Sequence, residues 1–166
     1  IPIKGWGKGA GVATDANNNV IYSAHYHGGY VVGKLTDEGK ADPTFGNDGL
    51  VLDNFAEEGK SSGGSVTILP KTGRILLSGV HSGKNMMLTA FALFEPDGSY
   101  VSEFGENGKV IVPYPSELTS ANPDANPTPA VGIGAQYTPV ITIDGKILFV
   151  HHDTIFRLKA DGSIDS

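Results

Sequence analysis

A chain of 166 residues, 39% hydrophobic and only 18% charged, carries enough recurrent apolar sequence for a packed core and is not the composition of a disordered segment. Its net charge of −6 excludes a phosphate-backbone partner, so no nucleic acid is expected, and no apolar run is long enough for a spanning helix, so no membrane insertion is expected. Cysteine is absent, which excludes disulfides, thiol catalysis and zinc–thiolate sites.

The elements follow one order three times. The chain opens at Ile1-Pro2-Ile3, which matches the later segments Leu50-Val51-Leu52 and Val110-Ile111-Val112 and is expected to belong to a fourth strand. A glycine-rich stretch, Gly5 to Gly11, lacks the Gly-Lys-Ser/Thr ending of a phosphate loop, and Trp6 within it reads as a packing residue. A short strand near Gly11–Thr14 meets the turn Asn17-Asn18-Asn19, then an apolar strand over 20–24. A loop with His25, Tyr26 and His27 leads to a third strand, Tyr30–Leu35. The turn Asp37-Glu38-Gly39-Lys40 then leads to the corner Phe45-Gly46-Asn47-Asp48-Gly49, where a fourth strand starts.

The second pass has strands at Ser65–Leu69 and 74–79, a loop beginning at His81, and a strand at Leu88–Phe94. It closes with Asp97-Gly98-Ser99 and the corner Phe104-Gly105-Glu106-Asn107-Gly108. A Pro-rich insertion over 113–130 holds five of the chain's 10 prolines and reads as a stiff connection without a core of its own. The third pass has strands at Tyr137–Ile143 and 146–150, a loop with His151, His152 and Asp153, a strand at Thr154–Leu158, and Asp161-Gly162-Ser163 before the chain stops at Ser166. An Asp-Gly pair between apolar runs predicts a tight hairpin, with positive φ at both central positions if the turn is type I′.

The fold expected is therefore all-β: tandem four-stranded antiparallel blades, β-propeller-like, with about three blades. The chain reads as one repeat domain over 1–166, in approximate repeats 1–49, 50–108 and 109–166. Phe45 and Phe104 are expected to be buried, equivalent corner residues. Three blades are too few for a closed ring, so other segments of a longer chain or further copies of itself are the expected partners.

The pattern Asp-Gly-x-x-Asp-x-x-Phe-Gly-x-x-Gly resembles the bacterial delta-60 repeat, a β-propeller-like domain. Asp37, Gly39, Asp42, Phe45, Gly46 and Gly49 carry it, with the first turn one residue longer, and Asp97, Gly98, Phe104, Gly105 and Gly108 carry it again. The resemblance implies a place in secreted or surface proteins or phage tail-fibre-like proteins, and so an extracellular, cell-surface or virion location. It names no activity.

Strand alternation puts the histidine loops and the Pro-rich insertion on one side of the blades and the Asp-Gly turns on the other. His25, Tyr26, His27, His81, His151, His152 and Asp153 form the candidate ligand-binding set. Imidazole binds metals and titrates near neutrality, but side chains from separate loops are expected to disperse rather than converge on a metal, so none is assigned and no cofactor is expected. Tyr26, Tyr30 and Tyr137 offer stacking surface to a cell-surface glycan on one reading, but aromatics at such positions are more often core or blade packing. Asp42, Asp48, Asp53 and Asn54 have oxygen ligands for calcium but not its loop spacing, and corner-capping explains them better. Ser61-Ser62-Gly63-Gly64-Ser65 is no nucleophile elbow. The function expected is non-enzymatic: structural assembly or surface recognition. The alternatives are a lectin-like glycan binder and, behind it, a fragment of a carbohydrate-active enzyme.

Overall fold

The computed structural model describes residues 9–83, 86–112, 138–151 and 154–165. It is built from eleven strands, with no helix among the described residues: β1 (Gly9–Thr14), β2 (Val20–Tyr26), β3 (Gly29–Leu35), β4 (Leu50–Asp53), β5 (Lys60–Ile68), β6 (Ile75–Gly83), β7 (Met86–Phe94), β8 (Lys109–Ile111), β9 (Val140–Ile141), β10 (Ile147–His151) and β11 (Thr154–Leu158). They form three antiparallel sheets: β1-β2-β3-β4, β5-β6-β7-β8 and β9-β10-β11, here sheets 1, 2 and 3. The fourth strands β4 and β8 pair with β3 and β7, so the first two sheets end at Asp53 and Ile111. The expected segment Ile1–Ile3, Trp6, the insertion 113–130, Tyr137, His152 and Asp153 lie outside the described residues.

The sheets pack face on face. Ile21, Tyr30 and Val32 of sheet 1 form one core with Ile75, Leu77 and Phe94 of sheet 2. The opposite face of sheet 2, with Leu76, Phe91 and Leu93, forms a second core with Ile147, Phe149 and Leu158 of sheet 3. Sheet 2 thus buries both faces, which is why Ile75-Leu76-Leu77 and Phe91–Phe94 read as unbroken apolar runs instead of alternating ones. Backbones come closest along the first strands. A Cβ on Gly11 of β1 would lie 2.8 Å from the backbone at Gly64, Ser65 and Val66 of β5, and one on Gly63 would lie 3.2 Å from the Ala24 carbonyl. Only glycine permits that approach. A register shift in β5 between Gly63 and Val66, like the one in β1 between Gly9 and Gly11, bends the strand there.

Left-handed backbone recurs at corresponding places in the sheets: Asn18, Gly73 and Gly145 in the first hairpins, and Gly46, Asp48 and Gly49 against Gly105, Asn107 and Gly108 in the two corners. Phe45 and Phe104 are both fully buried, as expected. The Asp-Gly turns differ from the type I′ expectation. At Asp97-Gly98 and Asp161-Gly162 only the glycine has positive φ, 87° and 83°. The aspartates, neither of which has positive φ, instead accept hydrogen bonds from the backbone N–H of Ser99 and of Ser163, both at 2.9 Å. Adjacent left-handed pairs occur at His27-Gly28, Asp48-Gly49 and Asn107-Gly108.

Candidate functional site

The histidine end of the sheets is the first place to look. β2 and β3 meet through a two-residue turn, with Tyr26 opposite Gly29, so the expected variable loop is a tight hairpin here. His27 occupies its first position at φ 40° and is exposed, its ring 4.7 Å edge-on from that of half-buried Tyr26. His25, half-buried, lies with Nε2 2.9 Å from Ser62 Oγ. His81 is buried, with Nδ1 3.4 Å from Ser61 Oγ. The adjacent β5 serines bring His25 and His81 to the same end of sheets 1 and 2, opposite the Asp97-Gly98 turn. His151 ends β10, and its side chain, like His152 and Asp153, is outside the described residues.

These serine–histidine pairs have the elements of a nucleophile and a base, but their geometry is that of packing. Ser61 and Ser62 are buried. Ser61 Oγ accepts the Phe55 N–H at 2.9 Å, and Ser62 Oγ donates to the Gly63 carbonyl at 3.2 Å. Among the described residues no group of three or more His, Asp or Glu side chains is placed to hold a metal ion.

Burial lowers the pKa of His81 below its ordinary value, because the charged imidazole is disfavoured there. The unfolded chain therefore takes up a proton, as pH falls through about 6.5, that folded His81 resists. Stability present above that pH should decline below it. In His81→Gln that part of the decline should vanish, leaving a shallower slope between pH 7 and 5 in urea-unfolding midpoints. Equal slopes for the two proteins would remove His81 as the cause.

The second candidate joins sheets 1 and 2 at their outer edge. The Tyr30 and Tyr100 hydroxyls are 2.7 Å apart, and Tyr100 Oη donates to Asp53 Oδ2 at 2.7 Å. Lys109 Nζ donates to the same carboxylate oxygen at 2.6 Å and to the Asn54 carbonyl at 2.7 Å. Burial opposes ionisation of Asp53, but the Lys109 and Tyr100 hydrogen bonds and the Asn54 N–H outweigh it and hold the carboxyl below the usual range. Burial and the neighbouring phenol and carboxylate push the Tyr100 hydroxyl up, so it stays a donor. A cleft of about 1040 Å³ opens beside this group, lined in part by Tyr100, Glu103, Glu106, Lys109 and Asp161. No local sequence pattern joins these residues: Asp53 and Asn54 read as corner residues and Tyr30 as core packing or, less often, a stacking surface. Asp42, also weighed there for calcium, caps Thr44 and pairs with Lys34 at 3.4 Å.

The third arrangement is a clasp between neighbouring sheets, and it occurs twice. Gly46 N–H donates to the Asp97 carbonyl at 2.7 Å, and Gly105 N–H donates to the Asp161 carbonyl at 2.8 Å. A Cβ on Gly98 would lie 3.1 Å from the Phe45 ring, and one on Gly162 would lie 3.0 Å from the Phe104 ring. Each corner thus holds the turn of the sheet that follows it. Comparison with known protein families, curated proteins and solved structures gave no match.

Proposed function

We propose that this chain is a β-propeller-like module of the delta-60 type, non-enzymatic, working outside the cell, at a cell surface or in a virion. Its work is structural assembly: it stacks blade-like repeats against further segments of a longer chain or further copies of itself. The observation that carries this reading is the clasp, repeated with the same atoms between sheets 1 and 2 and between sheets 2 and 3. The buried glycine contacts along β1 and β5, set against the open cleft beside β8, support a fan-like arrangement with the first strands innermost. Nothing favours the glycan-binding alternative over assembly, since the tyrosine beside the cleft commits its hydroxyl to Asp53.

A modular stack comes apart at one joint without losing its neighbours. Gly162 has φ 83°, and a Cβ there would lie 2.6 Å from Val110 Cγ2. Gly162→Val should therefore release sheet 3, and amide protection should fall across 140–158 while β1–β8 keep theirs. Uniform loss over all three sheets, or no loss at all, would sink the modular reading.

A further inference from the structure

We propose that the joint between sheets 1 and 2 carries a proton-operated latch at its histidine end: proton uptake by His81 releases Ser61 and, through it, the connection 54–59, while the clasp at the opposite end stays shut. The latch belongs to one joint within the chain and stands apart from the assembly reading above.

That end is closed by hydrogen bonds through adjacent serines of β5. The Ser61 N–H donates to the Gly28 carbonyl at 2.6 Å, joining β5 to the β2–β3 hairpin of sheet 1. Ser61 Oγ accepts the Phe55 N–H at 2.9 Å, and His25 Nε2 lies 2.9 Å from Ser62 Oγ. Phe55 is the plug of the connection. It is 4% exposed, its ring lies 4.7 Å from that of Tyr30, and a Cβ on Gly79 would lie 2.8 Å from its edge. The serine that holds the Phe55 backbone therefore also keeps an aromatic side chain in the first core.

The two serines differ in where their own protons go. Ser62 gives its proton to the Gly63 carbonyl at 3.2 Å, so its Oγ accepts from His25 Nε2–H. That nitrogen keeps its proton when the ring becomes charged, and the bond survives. Ser61 Oγ already accepts the Phe55 N–H, and His81 Nδ1 lies 3.4 Å from it. Neutral His81 takes the Ser61 proton there. An imidazolium carries N–H at both nitrogens and accepts nothing. Ser61 is buried, and a buried donor left unpaired is costly.

Among the described residues no carboxylate is placed to offset the new charge. The far edge of the His81 ring meets Gly59 and Gly83, where an added Cβ would lie 2.9 Å from Cε1 and 3.4 Å from Nε2. Its partner on β7 is Leu88. On the adjoining elements Glu57, Glu58 and Lys60 are exposed, Asp53 is tied to Lys109, His25 is on Ser62 and His27 is exposed. Burial, which disfavours the charged ring, acts in the same direction, and opening relieves it. The closed latch is thus favoured above the ordinary histidine pKa of about 6.5 and loses ground below it. With the closed form unprotonated, the open form gains up to about tenfold between pH 7.5 and 5.5.

Amide exchange in the full chain reads the latch. Between those two pH values, corrected for the intrinsic rate, protection of the Phe55 and Ser61 amides should fall by about three- to tenfold. Low urea should leave their exchange unchanged, because the opening exposes little surface, while core amides of β6 and β7 follow global unfolding. His81→Gln should abolish the fall, and His25→Gln should leave it. In the wild type the fall should track the His81 titration followed by NMR, which keeps the test in place where a variant does not fold. Phe55 and Ser61 amides that show no fall, or that exchange only through global unfolding, overturn the proposal. So does a fall that survives in H81Q, vanishes in H25Q or runs out of step with the His81 titration.

Discussion

Phe104→Ala is expected to destabilise the chain by about 3–5 kcal/mol, among the largest single effects available in it. The ring is fully buried in the core between sheets 2 and 3, where it also seats the Gly162 turn. Truncation removes its contacts with both sheets at once and leaves a cavity that the corner backbone cannot close. That backbone is fixed on either side, by the Phe104 N–H to the Val101 carbonyl at 3.0 Å and the Gly108 N–H to the Phe104 carbonyl at 2.9 Å. Thermal or urea unfolding reads the loss. An unchanged midpoint would show that the corner is not a core site. Phe45→Ala should behave alike in the first core.

Gly105→Ala should cost about 2–5 kcal/mol, from left-handed strain of about 1–2 and crowding of about 1–3. Gly105 has φ 57°, and an added Cβ would lie 2.2 Å from the Lys109 carbonyl oxygen and 2.4 Å from Val110 Cγ2. The first obstacle is backbone, so no side-chain rotation relieves it. The Gly105 N–H to Asp161 clasp would be displaced with it. A melting temperature within error of the wild type would refute the account. Gly39→Ala is the control: it keeps the positive φ, here 77°, but meets nothing within 4 Å, so it should lose only the strain.

What could be read in the sequence were features written locally. The apolar runs at Val20, Ile75 and Ile147 each begin a strand, and the Phe-Gly corners announce both the buried ring and the left-handed glycine. The all-β class follows from these. The partners of side chains could not be read, because they depend on how sheets face each other. Tyr30 and Tyr100 share a hydrogen bond across 70 residues, and no local pattern marks either as the other's neighbour. The histidines look alike in the sequence as loop residues. Their surroundings differ because β5 runs beside His25 and His81, burying the second and leaving His27 at a turn in the open. The Asp-Gly pairs predict turns correctly but not their type, since the aspartate side chain competes for the backbone N–H two residues on.

The clasp also has a direction in time. The corner always precedes the turn it holds: Phe45 comes before Asp97-Gly98, and Phe104 before Asp161-Gly162. On a ribosome, where chains emerge from the N-terminus at about 5–20 residues per second, each sheet can be complete before the turn destined for its corner has been made. Every new unit then arrives at a finished template rather than searching for a partner that is itself unformed. Until that arrival the corner ring lacks the cover of its turn. The interval between a corner and its turn is the nascent chain's window of exposure, and it closes one unit at a time, in the order of translation.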